Sequence, residues 1–365
     1  MESKDRENYN LAQIPQKTTI PVNLIRSLAI FLVIVIHASA EQPTIYQLSA
    51  SGGQWMWWTA NIYDSLARFS VPMFVIISGF LLLEASKTKE KTSFFLRKRI
   101  LRIIPPFIFW ATIYFAWRYF VNGENVTLTI IWQDLLAGDP YFHFPFLYML
   151  FGLYLITPLL RPAVNYSSEK VLKYIIILSF IGSAVIPLVG LVIPFNLDTE
   201  LFIFGGWIGY FILGVYLPKL HVRNLVLYLI LFFGIIWTAV GTWLLTISNG
   251  GQLNQFFYGY LGVNVVMTAC AAFLLLSQIS PELLERRLPK FNRLTDLIGQ
   301  NTLAIFLFHV IVLETLQRGL IGLRLSVSTL NPILEIPLIS IITLGICLAI
   351  IAPLKKVPIL NKLIG

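Results

Sequence analysis

The amino-acid sequence predicts an all-α integral membrane protein with about ten transmembrane helices. Hydrophobic residues make up 57% of the chain and charged residues only 12%, whereas a soluble domain carries about 25% charged residues. The apolar residues come in runs of about 20, which is the length that a helix needs to cross a bilayer. Basic residues are concentrated in every second connection between these runs, as expected for a chain that crosses a membrane repeatedly.

Ten apolar runs define the predicted spans. Their approximate bounds are 21–41, 57–83, 101–121, 144–160, 170–194, 200–218, 223–247, 256–279, 297–317 and 333–354. The longest outward loops, 42–56 and 122–143, are too short to fold alone. We therefore expect one membrane domain at 21–354, between a polar tail at 1–20 and a short basic tail at 355–365.

The distribution of basic residues orients the chain. With the N-terminus in the cytoplasm, all but four of the 27 Lys and Arg residues fall in or beside cytoplasmic segments, and the exceptions are Arg68, Arg118, Arg318 and Arg324. Both termini are therefore predicted to be cytoplasmic. Topology accounts for most of the net charge of +9, so we expect no nucleic-acid partner. The first run has no cleavage site after it and is expected to be retained as a span.

The first predicted span carries Arg26 and His37 within PVNLIRSLAIFLVIVIHASAEQ. Eleven residues turn a helix by about 1100°, so the two side chains share a face and lie roughly 16 Å apart along the axis. An imidazole in hydrocarbon is costly and is usually functional. A neutral histidine can act as a general base toward a hydroxyl or as a nucleophile toward an acyl group. The alternative is a structural histidine that bonds to a neighbouring helix.

A basic run, KTSFFLRKRILRIIPPFIFW, precedes the third predicted span. Arg97, Arg99 and Arg102 lie at the mouth of that span, on the same side as Arg26. Guanidinium groups bind phosphate in a bidentate manner, so these residues are candidates for a phosphate site. The alternative is anchoring on anionic lipid. The proline pair in the run is predicted to bend or restart the helix.

The second predicted span contains polar residues that call for partners. Asp64 and Arg68 are spaced i, i+4 and are predicted to pair. Pro72 and the Ser78–Gly79 step are predicted to loosen the helix and free backbone groups. Ser78 is thus a candidate for lining a cavity. The pair of Asp64 with Arg68 is a candidate for part of an acceptor site. A structural ion pair beside a kink is the alternative.

Two further histidines lie at or inside predicted spans. His143 occurs in DPYFHFPFLYML and His309 in NTLAIFLFHVIVLE. Either could bond a ligand in a cavity, although each taken alone is expected to be a packed residue. The two cysteines lie in apolar runs and predict neither a disulfide nor a metal site.

In order and spacing, these features resemble the acyltransferase family 3 membrane proteins, which O-acylate sugars of bacterial surface polysaccharides. Five segments carry the resemblance: Arg26 with His37, SVPMFVIISGFLLL at 70–83, Arg99 with Arg102, FHFPFLYM at 142–149 and NTLAIFLFH at 301–309. The chain departs from the family where His143 is followed by Phe144 and Pro145, because members often have His-Leu-Trp there. LARFSVPMF and the short C-terminus resemble the members that O-acetylate enterobacterial common antigen.

The resemblance implies a function and roles for these residues. It implies an O-acetyltransferase of the plasma membrane that uses acetyl-CoA and acts on a polysaccharide or lipid-linked glycan. His37 would be the catalytic residue, and no metal is implied. The donor-binding residues would be Arg26, Arg97, Arg99 and Arg102. The candidates for the cavity and the acceptor are Asp64, Arg68, Ser78, His143 and His309.

Two other classes of protein share part of this pattern. A transporter or flippase for a lipid-linked glycan would also have a polar interior, but it would typically show two halves with matching broken helices. No such symmetry is visible in the sequence. A non-catalytic scaffold has no need for a histidine within a span that is aligned with an arginine.

Overall fold

A computed structural model of the chain confirms the all-α prediction. The residues that it describes are 20–41, 47–48, 53–193, 200–326 and 330–365. These residues form helices and connecting turns, and their only β-type pairing is an isolated bridge between Gln47 and Gln252. Residues 1–19 of the predicted N-terminal tail and most of the predicted outward loop at 42–56 lie outside the described residues.

The described helices follow one another with short connections. They are α1 (Val22–Ser39), α2 (Gln54–Ala67), α3 (Ser70–Leu82), α4 (Thr92–Phe120), α5 (Leu128–Ala137), α6 (Pro145–Tyr166), α7 (Glu169–Phe180), α8 (Ile186–Gly190), α9 (Glu200–Tyr216), α10 (Asn224–Ser248), α11 (Val263–Ser277), α12 (Pro281–Arg287), α13 (Pro289–Gln300), α14 (Thr302–Arg318), α15 (Pro332–Leu354) and α16 (Pro358–Ile364). A π-helical turn joins α7 to α8.

The number of predicted spans is confirmed. Within the described ranges, nine helical segments are long and apolar enough to cross a membrane, and a tenth is present if the bent pair α13–α14 counts as one span. The span predicted over 297–317 contains a sharp bend, because α13 and α14 meet at an angle of 81°. The break lies at Asn301, whose side-chain amide donates to the carbonyl of Leu297 at 2.7 Å. Such local bonds compete with regular helix geometry.

Two predictions about irregular helices are also corrected. The prolines Pro105 and Pro106 do not restart the helix, because α4 runs unbroken through both. The carbonyls that lose their N–H partners belong to Leu101 and Arg102, which are exposed. The second span is interrupted after Ala67 rather than at the Ser78–Gly79 step. Pro72 therefore falls in the first turn of α3, where its missing N–H removes no helical bond.

Glycines allow α3 and α9 to cross in backbone contact. A Cβ atom on Gly79 would lie 1.8 Å from the carbonyl oxygen of Phe211, and one on Gly214 would lie 2.2 Å from that of Ile76. No residue with a side chain fits at either position. Small residues commonly permit such approaches between membrane helices. Gly79 and Gly214 are thus packing residues.

Helix α1 lies at the centre of the bundle. It packs against α2, α3, α13, α14 and α15 and is buried over most of its length. The outer helices α4, α6, α10 and α15 instead expose many apolar side chains, as expected for surfaces that face lipid. We call the end of the bundle at which α1 begins the basic end, because the loop before α4 and the helices α12 and α13 also lie there.

Candidate active site

The face of α1 that carries Arg26 and His37 lines two cavities. Both side chains are partly exposed, whereas most of the neighbouring positions on α1 are buried. Because α1 is unbroken from Val22 to Ser39, the separation of roughly 16 Å expected from helix geometry holds. Arg26 lines a cavity near the basic end, and His37 lines a second cavity further along the helix.

The cavity near the basic end is rich in cations, and we call it the basic cavity. It has a volume of about 330 Å³. Its positively charged lining residues are Arg26, Lys87, Arg99 and Arg102. The rest of the wall is mainly apolar, with Tyr154, Ser78 and Thr302 as further polar residues. Four cations around one cavity favour a ligand with several negative charges.

The arginines of the basic cavity have few protein partners. Within the described ranges, no carboxylate forms a salt bridge with Arg26, Arg99 or Arg102. The Nε atom of Arg99 is buried without a hydrogen-bond partner. The Arg99 guanidinium packs over the ring of Tyr154 at 5.5 Å. Uncompensated charge at a cavity wall is typical of an anion site, since unpaired buried donors are costly.

The remaining predicted donor-binding residue, Arg97, lies elsewhere. It is exposed and is not part of the cavity wall. The reason is helical periodicity: Arg97 precedes Arg99 by two residues, or about 200° around α4, while Arg102 follows by three and shares its face. The structure thus brings together three of the four predicted arginines and adds Lys87, which sequence analysis did not select.

His37 faces a second cavity, which we call the histidine cavity. It has a volume of about 390 Å³, and His37, His143, Trp207 and Tyr260 are the residues with polar atoms in an otherwise apolar wall. His309 stands directly behind them. Its ring centroid lies 5.2 Å from that of His37 and 5.7 Å from that of His143. Three imidazoles from α1, α14 and the start of α6 therefore meet in one cluster.

The hydrogen bonds of His309 define its tautomer. Its Nδ1 lies 2.7 Å from the carbonyl oxygen of Phe306 and 3.2 Å from that of Ile305. Carbonyl oxygens only accept, so Nδ1 must carry the proton and donate. The Nε2 atom, which has no partner, is then a free base. Both ring nitrogens of His143 are likewise buried without a partner.

The loop before α6 is held so that its rings reach the cluster. Tyr141 donates from its hydroxyl to Glu314 of α14, and Arg118 of α4 donates to the carbonyl of Pro140 at 3.2 Å. Burial and the hydrogen bond to Glu314 raise the pKa of Tyr141, so its hydroxyl remains a donor. Phe142 then packs on His37 with ring centroids 5.1 Å apart. Glu314 also forms an i, i+4 ion pair with Arg318, at 3.0 Å.

Two phenylalanines separate the cavities. Phe146 and Phe306 line both of them, with ring centroids 5.2 Å apart. Phe74 extends this wall on the basic side, 6.2 Å from Phe146. We call Phe146 and Phe306 the aromatic partition. Any group that passes from the arginines to His37 must move past these two rings.

The predicted ion pair between Asp64 and Arg68 is present and buried. Both guanidinium Nε and Nη2 donate to the carboxylate, the latter at 2.7 Å, and Asp64 is 1% exposed. Arg68 also stacks over Tyr258 at 4.3 Å and lies 5.6 Å from the ring centroid of Tyr260. Since Tyr260 lines the histidine cavity, the ion pair supports one wall of that cavity. Ser78 lines the basic cavity, where its hydroxyl donates to the carbonyl of Phe74.

Replacing Asp64 by asparagine is expected to destabilise the protein by about 3–5 kcal/mol, because removing one partner leaves a buried charge uncompensated. The measurement is thermal unfolding of the purified protein in detergent. Glu169→Gln is the control, since its pair with Lys173 is largely exposed and such pairs contribute about 0–1 kcal/mol. Equal stability of the two variants would contradict a structural role for the Asp64 carboxylate.

Several lining residues were not selected from the sequence. Phe306 lies three residues before His309 and thus on its helix face, which is a usable signal. The aromatic density of FHFPFLYM similarly marks Phe146. No local pattern marks Tyr260 or Lys87, because each reaches its cavity through packing between distant segments.

Comparison with known proteins gives one match. The model of acyltransferase family 3, described as an acyltransferase domain, matches residues 21–352. Neither the curated proteins nor the solved structures contain a match to the chain. The family match spans every helix described above from α1 to α14 and nearly all of α15. Within the described ranges, no three His, Cys, Asp or Glu side chains are grouped as metal ligands.

Proposed function

Since the chain belongs to acyltransferase family 3 and is a multi-pass membrane acyltransferase, we propose that it moves an acetyl group from cytoplasmic acetyl-CoA to a hydroxyl of a surface polysaccharide or lipid-linked glycan. The observation that carries this proposal is the placement of Arg26 and His37. They share one face of α1, and each lines a different cavity. One helix thus connects an anion site to an imidazole.

The donor binds by its phosphates in the basic cavity. Arg26, Arg99, Arg102 and Lys87 supply the positive charge, and guanidinium groups suit phosphate geometry. The basic loops favour a cytoplasmic location for this end of the bundle, where acetyl-CoA is made. The pantetheine arm then extends along α1, and roughly 16 Å separates the phosphate site from His37.

His37 performs the chemistry at the end of that arm. In one route it takes the proton of the acceptor hydroxyl, whose oxygen attacks the thioester carbonyl. In the other it takes the acetyl group itself and passes it to the hydroxyl. In both routes the C–S bond of the thioester breaks, a C–O ester bond forms, and the hydroxyl proton ends on the released CoA thiol. The free Nε2 of His309, close to the His37 ring, supports proton transfer within the cluster.

The acceptor hydroxyl enters the histidine cavity from the end of the bundle opposite the basic end. Tyr260 is a polar residue of that wall and a candidate for contacting the sugar, and the buried Asp64–Arg68 pair supports Tyr260 from behind. We place the protein in the plasma membrane, and the LARFSVPMF segment favours an acceptor like enterobacterial common antigen.

The experiment that tests the function compares the surface glycans of cells with and without this protein, together with transfer of labelled acetyl from acetyl-CoA to glycan in isolated membranes. We expect O-acetyl groups and label transfer only when the protein is present. Glycans of unchanged O-acetyl content, with no transfer of label, would overturn the proposal.

Replacing Phe146 by tryptophan is expected to lower kcat by at least about tenfold with little change in the KM for acetyl-CoA. The larger ring narrows the passage at the aromatic partition, and a displacement of about 1 Å in a reacting group costs about a hundredfold in rate. Steady-state kinetics with varied acetyl-CoA measures both constants. Phe120→Trp is the matched control, because Phe120 is 80% exposed at the end of α4. A raised KM with unchanged kcat would contradict the passage assigned to the partition.

A further inference from the structure

Helix α13 runs across the basic end of the bundle instead of along it. It meets α14 at 81°, and α14 packs beside the spanning helices α1 and α15. A helix at nearly a right angle to a spanning helix lies close to the plane of the membrane. Its position at the basic end puts α13 at the depth of the lipid headgroups.

One side of α13 exposes a ridge of large apolar side chains. They are spaced three residues apart, and their exposed fractions are 53% for Leu288, 45% for Phe291, 48% for Leu294 and 42% for Leu297. A single exposed leucine is ordinary, but Phe291, Leu294 and Leu297 on one short helix, with Leu288 directly before it, form a patch that favours an apolar partner. The lipid-facing side chains of the spanning helices do not account for this patch, because α13 turns away from α14 at 81°.

The charges of α13 are sorted between its two sides. Lys290 and Arg293 are exposed beside the apolar ridge. The acidic residue of the helix, Asp296, instead faces α1 and accepts a hydrogen bond from the Asn23 side chain at 2.7 Å. Arg286 and Arg287, at the end of α12, extend the exposed basic surface, while Glu282 and Glu285 lie in the earlier part of α12. The surface beside the ridge is thus positive.

The inner side of α13 is fixed to the start of α1. The Ser27 hydroxyl donates to the carbonyl of Thr295 at 2.7 Å. A Cβ atom on Gly299 would lie 2.8 Å from the Cα of Asn23, so the two helices are in backbone contact there. Asn23 and Ser27 flank Arg26 on α1. The segment that holds α13 is therefore the turn that carries Arg26 into the basic cavity.

We propose that α13 is an in-plane membrane helix that binds anionic phospholipid at the basic end of the protein. The ridge from Leu288 to Leu297 inserts at the boundary of headgroups and acyl chains. Lys290 and Arg293 bind the acidic headgroups. Amphipathic helices with large apolar residues flanked by basic residues bind anionic bilayers in this way. Through Asn23 and Ser27, the bound lipid surface also holds the first turns of α1.

The headgroup contact is tested by reconstituting the protein in equimolar phosphatidylcholine and phosphatidylglycerol and counting retained phosphatidylglycerol by native mass spectrometry. The variant is Lys290→Gln/Arg293→Gln, and the control is Lys89→Gln/Lys91→Gln, which removes two exposed lysines from the loop before α4. We expect about 25-fold weaker retention in the first variant only, because each basic residue near an anionic surface contributes roughly fivefold. Equal retention in both variants would overturn the headgroup assignment.

The depth of the ridge is tested separately, in a protein whose Cys270 and Cys347 are replaced by alanine. A fluorophore on Leu294→Cys is expected to be quenched by lipids brominated near the glycerol end of the acyl chain. A fluorophore on Lys89→Cys is expected to be quenched by aqueous iodide instead. Quenching of the Leu294→Cys label by iodide alone would overturn the proposal. Neither measurement uses acetyl-CoA, so its outcome is independent of the proposed acetyl transfer.

Discussion

Replacing His37 by alanine is expected to abolish acetyl transfer while leaving the protein folded in the membrane. General acid–base catalysis by a positioned side chain contributes about 10²–10⁴-fold, and the variant loses either that contribution or the covalent carrier. Folding should be retained, because His37 forms no hydrogen bond with the part of the chain that the structure describes and its side chain borders a cavity. Its contacts are with the rings of Phe142 and His309.

The measurement is label transfer from acetyl-CoA to glycan, normalised to the amount of protein in the membrane. His221→Ala is the matched control, since His221 is exposed in the connection before α10, and it should retain full activity. Near-normal transfer by the His37 variant would remove this residue from the chemistry. His309→Ala gives a further comparison: a partial loss would support a role in proton transfer behind His37.

Replacing both Arg99 and Arg102 by glutamine is expected to raise the KM for acetyl-CoA by about a hundredfold to a thousandfold. Hydrogen bonds to charged groups contribute about 1.5–3 kcal/mol each, and the lower figure suits Arg102 because it is exposed. The KM for the glycan acceptor should change far less, since neither arginine lines the histidine cavity.

The matched control for this pair is Arg97→Gln/Lys98→Gln. It removes two positive charges from the same turns of α4, but both residues are exposed, and neither lines the basic cavity. The control should keep the KM of the native protein. If both double variants lose membrane insertion to the same extent, the basic run serves as an anchor on anionic lipid. If both raise the KM equally, the charge acts through the general field and not through the cavity.

The positions of the four candidate arginines illustrate how much of the donor site can be predicted from the sequence. The charge pattern correctly predicts that one end of the protein carries Arg26, Arg97, Arg99 and Arg102. Arg97 and Arg99 differ in the direction in which their side chains leave the axis of α4. This direction follows from the sequence once the helix is known to begin at Thr92. The predicted span began at residue 101, so the arginines were treated as a loop cluster.

The histidines illustrate what lies beyond local patterns. His143 and His309 are each expected to be packed residues when considered alone. In the structure the ring of His309 lies next to that of His37 and next to that of His143. Their positions differ by more than a hundred residues along the chain, so no spacing rule connects them. The resemblance to acyltransferase family 3 placed them near a common cavity, and the packing of α1, α6 and α14 brings them together.

The sequence by itself determined the number of spans, the basic end and the shared face of Arg26 and His37. These features depend on hydropathy, charge and the period of one helix, all of which are local. The tertiary structure decided the two cavities, the aromatic partition, the histidine cluster and the bend of 81° between α13 and α14. These features depend on which helices touch and at what angle. Contacts such as Gly79 on Phe211 or Gly299 on Asn23 set those angles, and they join segments that are distant in the chain.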